Sequence, residues 1–317
     1  EGNNVYFGLR WPEILALSND NAEADPPIHR VLLGMWMEGA GPSPFAIRAL
    51  SAELGMLAVA LAWPLARALG LGPSGALLLM AGLAISPFHI DYSQEAKGYA
   101  LVSAAALGSS WAWLKIGRAR RAPAAYVACT LVMLGAHYFS APLLGMQWLW
   151  LLADRARFKR EWLKRGLAQA LACAPIALWV ALAWRGILAG GAKAAGGAHA
   201  SEPLTVILNL FGEFALGRHA GEAAGVIGGV ALLLLWLAGL VLARRSPRVF
   251  WAGASAGVAL LFAVAVEPRL SIFYPRFLLW TLPILLAPIA AVLARPDAAR
   301  VAAALSLGLA QAWSVTA

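Results

Sequence analysis

The residues best suited to chemistry lie in one short segment, Ser86 to Leu101, between two long apolar stretches. Its chemically useful members are His89, Asp91, Tyr92, Gln94, Glu95 and Lys97. A charge at the centre of a bilayer costs about 2.5–3.5 kcal/mol on insertion scales, so membrane proteins place such clusters where water or a charged ligand meets them. The segment is therefore predicted to contribute to a site at a membrane boundary.

The spacing of these residues indicates the kind of ligand. Ser86-Pro87 is predicted to end one helix, and the residues from Tyr92 to Lys97 are predicted to begin the next. The helix dipole favours Glu95 in a first turn, which by itself is a structural explanation for that carboxylate. The same dipole disfavours Lys97, and an unfavourable cation indicates an anionic partner such as a phosphate, which helix N-termini bind.

Three carboxylates near the start of the chain offer a second kind of chemistry. Asp20, Glu23 and Asp25 fall within six residues, enough for a general base or a metal site. Asp25 also precedes Pro26-Pro27, so it is equally explained as the cap of a helix that begins at proline. A divalent cation is compatible with these motifs but not required by them, and no metal ligand is predicted.

Two further motifs place polar side chains at the ends of apolar runs. His137-Tyr138 closes one run, where an interfacial histidine and a tyrosine of the aromatic belt are the structural alternative. Tyr274-Pro275-Arg276 precedes another, where an arginine can extend to lipid headgroups or bind a phosphate with both arms of its guanidinium. Arg48 and Glu53 are predicted to form a structural pair.

The composition restricts the class of protein. Of 317 residues 61% are hydrophobic and only 13% charged, and the mean hydropathy is +0.70, so the polar surface is too small for a soluble globule. The sequence predicts an all-α, polytopic bundle of transmembrane helices. Cys129 and Cys173 both lie in apolar runs and predict no disulfide framework. Motifs for nucleotide binding, zinc proteolysis or serine hydrolysis do not occur in a credible structural setting in this sequence.

Apolar runs predict about ten spans and two interfacial helices. The spans are 46–69, 74–88, 96–116, 123–138, 140–153, 164–184, 223–243, 249–266, 277–294 and 299–317. The interfacial helices are 26–38 and 203–215, which carry apolar residues at helical spacing along one face. The whole chain, 1–317, is predicted to be one transmembrane domain, with outer loops at 1–45 and 186–222.

The distribution of cations predicts sidedness. With residues 1–45 outside, alternation assigns to the cytoplasm five connections that hold 16 of the 25 lysines and arginines but only three of the 16 acidic residues. This bias fits the positive-inside rule and explains the net charge of +9 without a nucleic acid partner. The motifs described above then face the periplasmic side of the plasma (inner) membrane.

Six motifs, in this order, resemble the GT-C glycosyltransferases of family 39, which include protein O-mannosyltransferases and lipid A aminoarabinose transferases. They read ADPPIH (24–29), VLLGMWM (31–37), FAIRAL (45–50), SPFHIDYSQEAKGYA (86–100), AHYF (136–139) and PRFLLWTLP (275–283). Members of that family typically read HPPLYY, FALRLPS, SPFHIYYSQEARPYAL, THYF and RYLLPLLP. The resemblance runs from residue 1 to about residue 290.

The resemblance implies transfer of a sugar from a polyprenyl-phosphate donor to an acceptor hydroxyl of a lipid, glycan or protein outside the cytoplasm. A carboxylate would activate the acceptor, and cationic groups would neutralise the phosphate. The implied catalytic residues are Glu1, Asp25 and Glu95. The implied phosphate-binding residues are Lys97, Arg276 and His137. The implied substrate-binding residues are Asp20, His89, Asp91, Tyr92, Gln94, Tyr138 and Tyr274.

The chain departs from the family pattern at two places. Family members carry an Asp-Glu pair after a first transmembrane helix, and Glu1 matches the second member of that pair, so the aspartate and the helix are expected upstream. Asp25 stands where histidine is commoner before the two prolines.

Two other functions are compatible with the sequence. One is a flippase or transporter of lipid-linked sugars, although transporters place polar groups near the midplane, often in repeated halves, and no repeat is visible here. The other is a GT-C relative with different chemistry, such as a polymerase, ligase or lipid phosphotransferase. The motifs discriminate only weakly against the second.

Overall fold

The computed structural model of the chain describes residues 2–20, 25–153, 155–195, 202–270 and 274–295. Within these ranges every regular element is an α-helix or a 3₁₀ turn, which confirms the all-α prediction. The α-helices are α1 (Gly2–Leu9), α2 (Ile14–Asp20), α3 (Ile28–Ala40), α4 (Pro44–Leu69), α5 (Pro73–Ala84), α6 (Pro87–Ser93), α7 (Tyr99–Lys115), α8 (Ala122–Ala136), α9 (Pro142–Trp150), α10 (Arg155–Ala195), α11 (Pro203–Leu216), α12 (Glu222–Ala243), α13 (Pro247–Leu270) and α14 (Leu282–Leu293).

Four helical segments among the described residues are long and apolar enough to cross a membrane. They are α4, residues Lys159–Ala189 of α10, α12, and the segment Pro275–Leu293 that joins a 3₁₀ turn to α14. α5 and α6 together pass the same test, with a bend of 58° at their junction, and make a fifth span if the pair is one. These helices identify the chain as a membrane protein.

The structure does not give the ten predicted spans. α7 has 17 residues, α8 has 15 and α9 has nine, and the predicted span 299–317 lies outside the described residues. α7 is buried along almost its whole length. Its apolar run therefore reflects packing inside the bundle as much as any contact with lipid, and an apolar run alone does not separate the two.

The core is built around α7, which packs against α4 and α8. Small residues allow close approach, and a Cβ at Gly108 would lie 2.8 Å from the sulfur of Cys129. A buried polar network also joins α7, α8 and α9. The Gln147 amide donates to Ser109 at 3.0 Å and accepts from the Tyr126 hydroxyl at 2.9 Å. These bonds satisfy polar groups that water cannot reach.

The prediction that one helix begins at Tyr92 is wrong. Ser86 caps α6 by accepting from the backbone N–H of His89 at 3.3 Å, and Pro87 occupies the first turn, so a separate short helix includes Tyr92. α7 begins only at Tyr99. Glu95 and Lys97 lie in the connection between the two helices, and the dipole argument from a first turn does not apply to them.

The two segments predicted to be interfacial helices are helical in the structure, as α3 and α11. α3 packs on α1 and α4, and α11 packs on α12 and α6. The intervening α10 continues to Ala195, beyond residue 186, where the sequence places the start of the second outer loop. α3 and α11 lie beside the connection between α6 and α7, where the two cavities described below are found.

Candidate functional site

Two neighbouring cavities meet at Lys97. The larger, called here the wide cavity, has a volume of about 870 Å³ and lies between α4, the α6–α7 connection and the residues after α11. The smaller, called the basic pocket, has a volume of about 270 Å³ and lies between the start of α3, the end of α8 and the 3₁₀ turn before α14. The Lys97 side chain lines both of them.

The two cavities differ in charge. The charged residues that line the wide cavity are Arg48, Glu53, Asp91, Glu95, Lys97 and Arg218, three of each sign. Those that line the basic pocket are Asp25, Arg30, Lys97 and Arg276, which leaves a formal charge of +2. A small concave site with excess positive charge suits an anionic group, because low-dielectric walls strengthen the field of its cations.

Arg30 orients the carboxylate of the basic pocket. Its side chain is only 2% exposed, and one guanidinium nitrogen donates to Asp25 at 3.2 Å. Its Nε donates to the Asn4 amide oxygen at 3.2 Å, and the Asn4 amide nitrogen donates to the backbone carbonyl of Ala96 at 3.0 Å. The guanidinium lies 4.4 Å from the centre of the Phe7 ring. Through Asn4, the α6–α7 connection and the Asp25 carboxylate are fixed relative to each other.

Arg276 is held by aromatic rings. Its guanidinium lies 4.2 Å from the centre of the Tyr274 ring and 5.8 Å from that of Phe277. Its Nε is buried and has no hydrogen-bond acceptor within the described part of the chain. An unsatisfied buried donor costs about 1–3 kcal/mol, so one that lines a pocket is suited to a ligand with acceptor oxygens.

The two histidines of the basic pocket are neutral, and His29 is buried whereas His137 is half-buried. Burial first, and then the charge of the nearby Arg30, lower the pKa of His29 to about 4. Burial likewise lowers the pKa of His137 to about 4, with Asp25 raising it and Arg276 lowering it. His137 Nδ1 accepts from the backbone N–H of Phe139 at 3.3 Å, so its proton is on Nε2. His137 is therefore a neutral hydrogen-bond donor at pH 7.

In the wide cavity Glu95 lies between two cations. It forms an ion pair with Arg218 and lies 3.5 Å from the Lys97 ammonium. Arg218 also lies 3.9 Å from Asp91 and 5.4 Å from the centre of the Tyr92 ring. No local pattern in the sequence singles out Arg218, because its acidic partners Asp91 and Glu95 are more than 120 positions away in the chain.

Gly217 allows Arg218 to approach Asp91 and Glu95. Its φ of +77° is unfavourable for other residues, and a Cβ there would lie 3.0 Å from Pro87 and 3.3 Å from an Asp91 carboxylate oxygen. Glycine is needed both for the left-handed backbone and for this close approach.

A Gly217→Ala variant tests that role. We expect it to lower the free energy of unfolding by about 1–2 kcal/mol for the left-handed backbone and to displace Arg218 from Asp91 and Glu95. Gly41→Ala is the matched control, since Gly41 has φ +80° and no neighbour within 4 Å of a Cβ. The midpoint temperature of thermal unfolding in detergent should fall in both variants, whereas the affinity for a ligand of the wide cavity should fall only in Gly217→Ala. Equal binding in the two variants would refute the positioning role of Gly217.

A third concavity, called here the apolar groove, opens beside the wide cavity. It has a volume of about 330 Å³ and is lined mainly by Ala52, Gly55, Met56, Val59 and Ile90. Ala52, Met56 and Gln94 line both the groove and the wide cavity, so the two adjoin. Met56 is 65% exposed.

The remaining candidate residues are distributed around these cavities. Asp91 and Gln94 line the wide cavity. His89 lines the groove, but it is buried, with Nε2 3.2 Å from the Gly55 carbonyl oxygen, and it packs α6 on α4. Tyr138 is hydrogen-bonded through its hydroxyl to the Trp179 indole at 3.1 Å and lies outside the lining of the cavities described here. Glu1 and the side chain of Asp20 lie outside the described residues.

Within the described residues no group of three or more His, Cys, Asp or Glu side chains is arranged to hold a metal ion. Comparison of the chain with protein-family models, curated proteins and solved structures gives no match. The function is therefore argued from the geometry and charge of the cavities.

Proposed function

We propose that the protein is a membrane-integral glycosyltransferase that moves a sugar from a polyprenyl-phosphate donor to an acceptor hydroxyl on the non-cytoplasmic side of the membrane. One observation carries the proposal: the apolar groove adjoins the wide cavity, and Lys97 joins the wide cavity to the basic pocket. An apolar groove that connects through the wide cavity to the basic pocket fits a ligand with a lipid chain and an anionic head.

The groove suits the lipid part of this donor. Its lining is dominated by aliphatic side chains of α4 and α6. α4 is one of the helices able to span a membrane, and Met56 and Leu57 are exposed on it. Burial of apolar surface contributes about 25 cal/mol per Å² without demanding a particular geometry, which suits a flexible polyprenyl chain.

The basic pocket suits the phosphate. Lys97 supplies a charge at its mouth, Arg276 supplies a planar guanidinium with a free buried Nε, and His137 supplies a neutral N–H. Donors fixed in advance stabilise charge that develops on a leaving group, because they need no reorganisation during the reaction. Glu95 holds Lys97 from the wide cavity side.

The reaction requires one base and one leaving group. Asp25, oriented by Arg30, accepts the proton of the acceptor hydroxyl. The hydroxyl oxygen forms a bond to the anomeric carbon as the bond from that carbon to the phosphate oxygen breaks. The electron pair of the broken bond stays with polyprenyl phosphate, whose charge Lys97 and Arg276 neutralise. Attack opposite the leaving group inverts the anomeric configuration.

Transport of lipid-linked sugars is the second candidate, and one observation favours it. The bent pair α5–α6 resembles the broken helices on which transporters bind their substrates. Charged residues that line the cavities of this protein, such as Asp25, Glu95, Lys97 and Arg218, lie instead in the connections between helices.

A release assay separates the two functions. The purified full-length protein is incubated with a panel of radiolabelled polyprenyl-phosphate hexoses and pentoses and candidate acceptors, and release of polyprenyl phosphate is measured with and without EDTA. Release with at least one donor supports the transferase. Failure to release across the panel, together with passage of intact lipid-linked sugars across vesicle membranes, would refute it in favour of the flippase.

The half-buried carboxyl of Glu213 on α11 predicts a pH dependence. Burial raises its pKa to about 7, Arg276 and Arg218 lower it, and Asp91 raises it. A raised pKa means that its contribution to stability is present at low pH and is lost as the pH rises from about 4.5 to about 7. Above pH 7 its negative charge weakens the field of Arg276 and Arg218 on an anionic ligand.

We therefore expect the affinity for a polyprenyl-phosphate sugar, a phosphodiester of constant charge, to fall several-fold between pH 6 and pH 8. Glu213→Gln should abolish this change, whereas Glu222→Gln, a replacement at the exposed start of α12, should not. Binding titrations of the two variants between pH 6 and pH 8 measure these affinities. An unchanged pH dependence in Glu213→Gln would exclude Glu213 as its source.

A further inference from the structure

A dense group of cations lies at the other end of the bundle from the cavities. α7 starts at the basic pocket with Tyr99 and ends at Lys115, about 25 Å away at 1.5 Å per residue. The connection to α8 and the first turns of α10 meet there. Apart from the buried Arg165, the cations with described side chains in these two segments are Lys115, Arg118, Arg120, Arg121, Lys159, Arg160 and Lys164, all exposed except the half-buried Lys115.

A buried ion pair fastens the two segments together. Arg165 is fully buried and donates to Glu161 at 2.8 Å, to the carbonyl of Ile116 at 3.2 Å, and to the carbonyl of Trp113. Gly117, with φ +80°, packs directly against the Glu161 carboxylate, where a Cβ would overlap it. The connection after α7 therefore has a fixed position on α10, and cations some 40 positions apart in the chain share one surface.

This surface has a large excess of positive charge. Between residues 96 and 201 the sequence contains only two acidic residues, Asp154 and Glu161. Glu161 is already neutralised by Arg165. Seven cations facing solvent repel one another, and an anionic surface that they can bind relieves this repulsion.

Apolar side chains beside the cations indicate what kind of anion binds. Trp162 is 54% exposed, and Leu163 and Leu167 are also exposed, on the turns of α10 that carry Lys159 and Lys164. These turns begin the candidate span Lys159–Ala189. Cations at the level of the headgroups with exposed Trp and Leu beside them match a phospholipid, which has an anionic head and acyl chains, better than a soluble polyanion.

We infer that these seven cations and Trp162, called here the basic collar, form a binding site for the headgroups of anionic phospholipids. The site is distinct from the cavities and does not depend on the proposed transferase activity. It would hold the end of the bundle opposite the cavities against the anionic leaflet.

The test is native mass spectrometry of the purified full-length protein titrated with phosphatidylglycerol or phosphatidylcholine. The collar variant replaces Arg118, Arg121 and Lys164 by glutamine. The matched control replaces Arg244, Arg245 and Arg248 by glutamine. Arg244 and Arg245 are exposed between α12 and α13, and Arg248 lies half-buried in the first turn of α13. Five of the six side chains are therefore exposed. Circular dichroism verifies that the variants fold.

We expect phosphatidylglycerol to bind the native protein at least tenfold more tightly than phosphatidylcholine. The collar variant should lose up to about 100-fold in affinity for phosphatidylglycerol, roughly fivefold per cation, and the control less than about threefold. Equal binding of the two lipids by the native protein would overturn the proposal. So would equal losses in both variants, which would indicate diffuse attraction to any basic loop.

Discussion

Replacing Arg276 by alanine should lower the rate constant of sugar transfer about 10²–10³-fold, the usual loss when one donor to a developing negative charge is removed. The guanidinium is placed over the Tyr274 ring at 4.2 Å, and its buried Nε has no acceptor among the described residues. Steady-state assays with a polyprenyl-phosphate sugar should show the loss mainly in kcat, because the charge on the phosphate grows as the bond breaks.

Two further variants make this prediction specific. Arg276→Lys keeps the charge but not the planar fork, so it should recover only part of the rate. Arg10→Ala removes a cation from an exposed pair with Glu13, outside the cavities, and should leave transfer unchanged. If Arg276→Ala transferred sugar at the native rate, Arg276 would not be the residue that binds the phosphate.

Replacing Asp25 by asparagine should lower kcat about 10²–10⁴-fold, the range that general-base catalysis contributes. Asparagine can still accept a hydrogen bond from Arg30 but cannot take the acceptor's proton, so donor binding should be nearly unchanged. Transfer assays together with donor-binding titrations measure the two effects separately. Asp25→Glu, which keeps the carboxylate at a different reach, should retain part of the activity.

The control for this carboxylate is Glu38→Gln. Glu38 accepts from the Trp11 indole at 3.0 Å on the same helix as Arg30 and does not line the cavities described here. Full activity in Asp25→Asn would contradict the base assignment. If Arg276→Ala were inactive at the same time, the phosphate site would stand and the base would have to be another carboxylate, with Glu95 the first to replace.

The sequence predicts the ingredients of the site better than their arrangement. Alternation of apolar runs and the charge bias of the connections place Asp25, Lys97, His137 and Arg276 on one side of the membrane. In the structure all four line one pocket. The helices α3 and α11 are also predictable, since the apolar spacing that marks an amphipathic helix is local.

Other features depend on contacts that no local pattern encodes. Glu213 and Arg218 act on residues far from them in the chain, and Arg30 joins Asp25 to the distant Asn4, so no local pattern in the sequence identifies these three residues. The separate short helix α6 is not predicted, because Ser86-Pro87 is typical both of the end of one helix and of the start of the next. The ten predicted spans are not shown in the described residues, because an apolar run does not distinguish a buried helix such as α7 from a lipid-facing one.

The most direct test of the central claim is to map where a polyprenyl phosphate binds. The purified full-length protein is labelled with a photoreactive polyprenyl phosphate, digested and sequenced by mass spectrometry. Met56→Trp should block the groove, whereas Leu57→Trp alters the neighbouring exposed position, which does not line it. We predict labelling of α4 near Ala52–Val59 and of α6 near Ile90. Excess unlabelled lipid should abolish this labelling, and so should Met56→Trp. Leu57→Trp should preserve it. Labelling spread over lipid-facing helices such as α12, and unaffected by competitor or by Met56→Trp, would contradict the account.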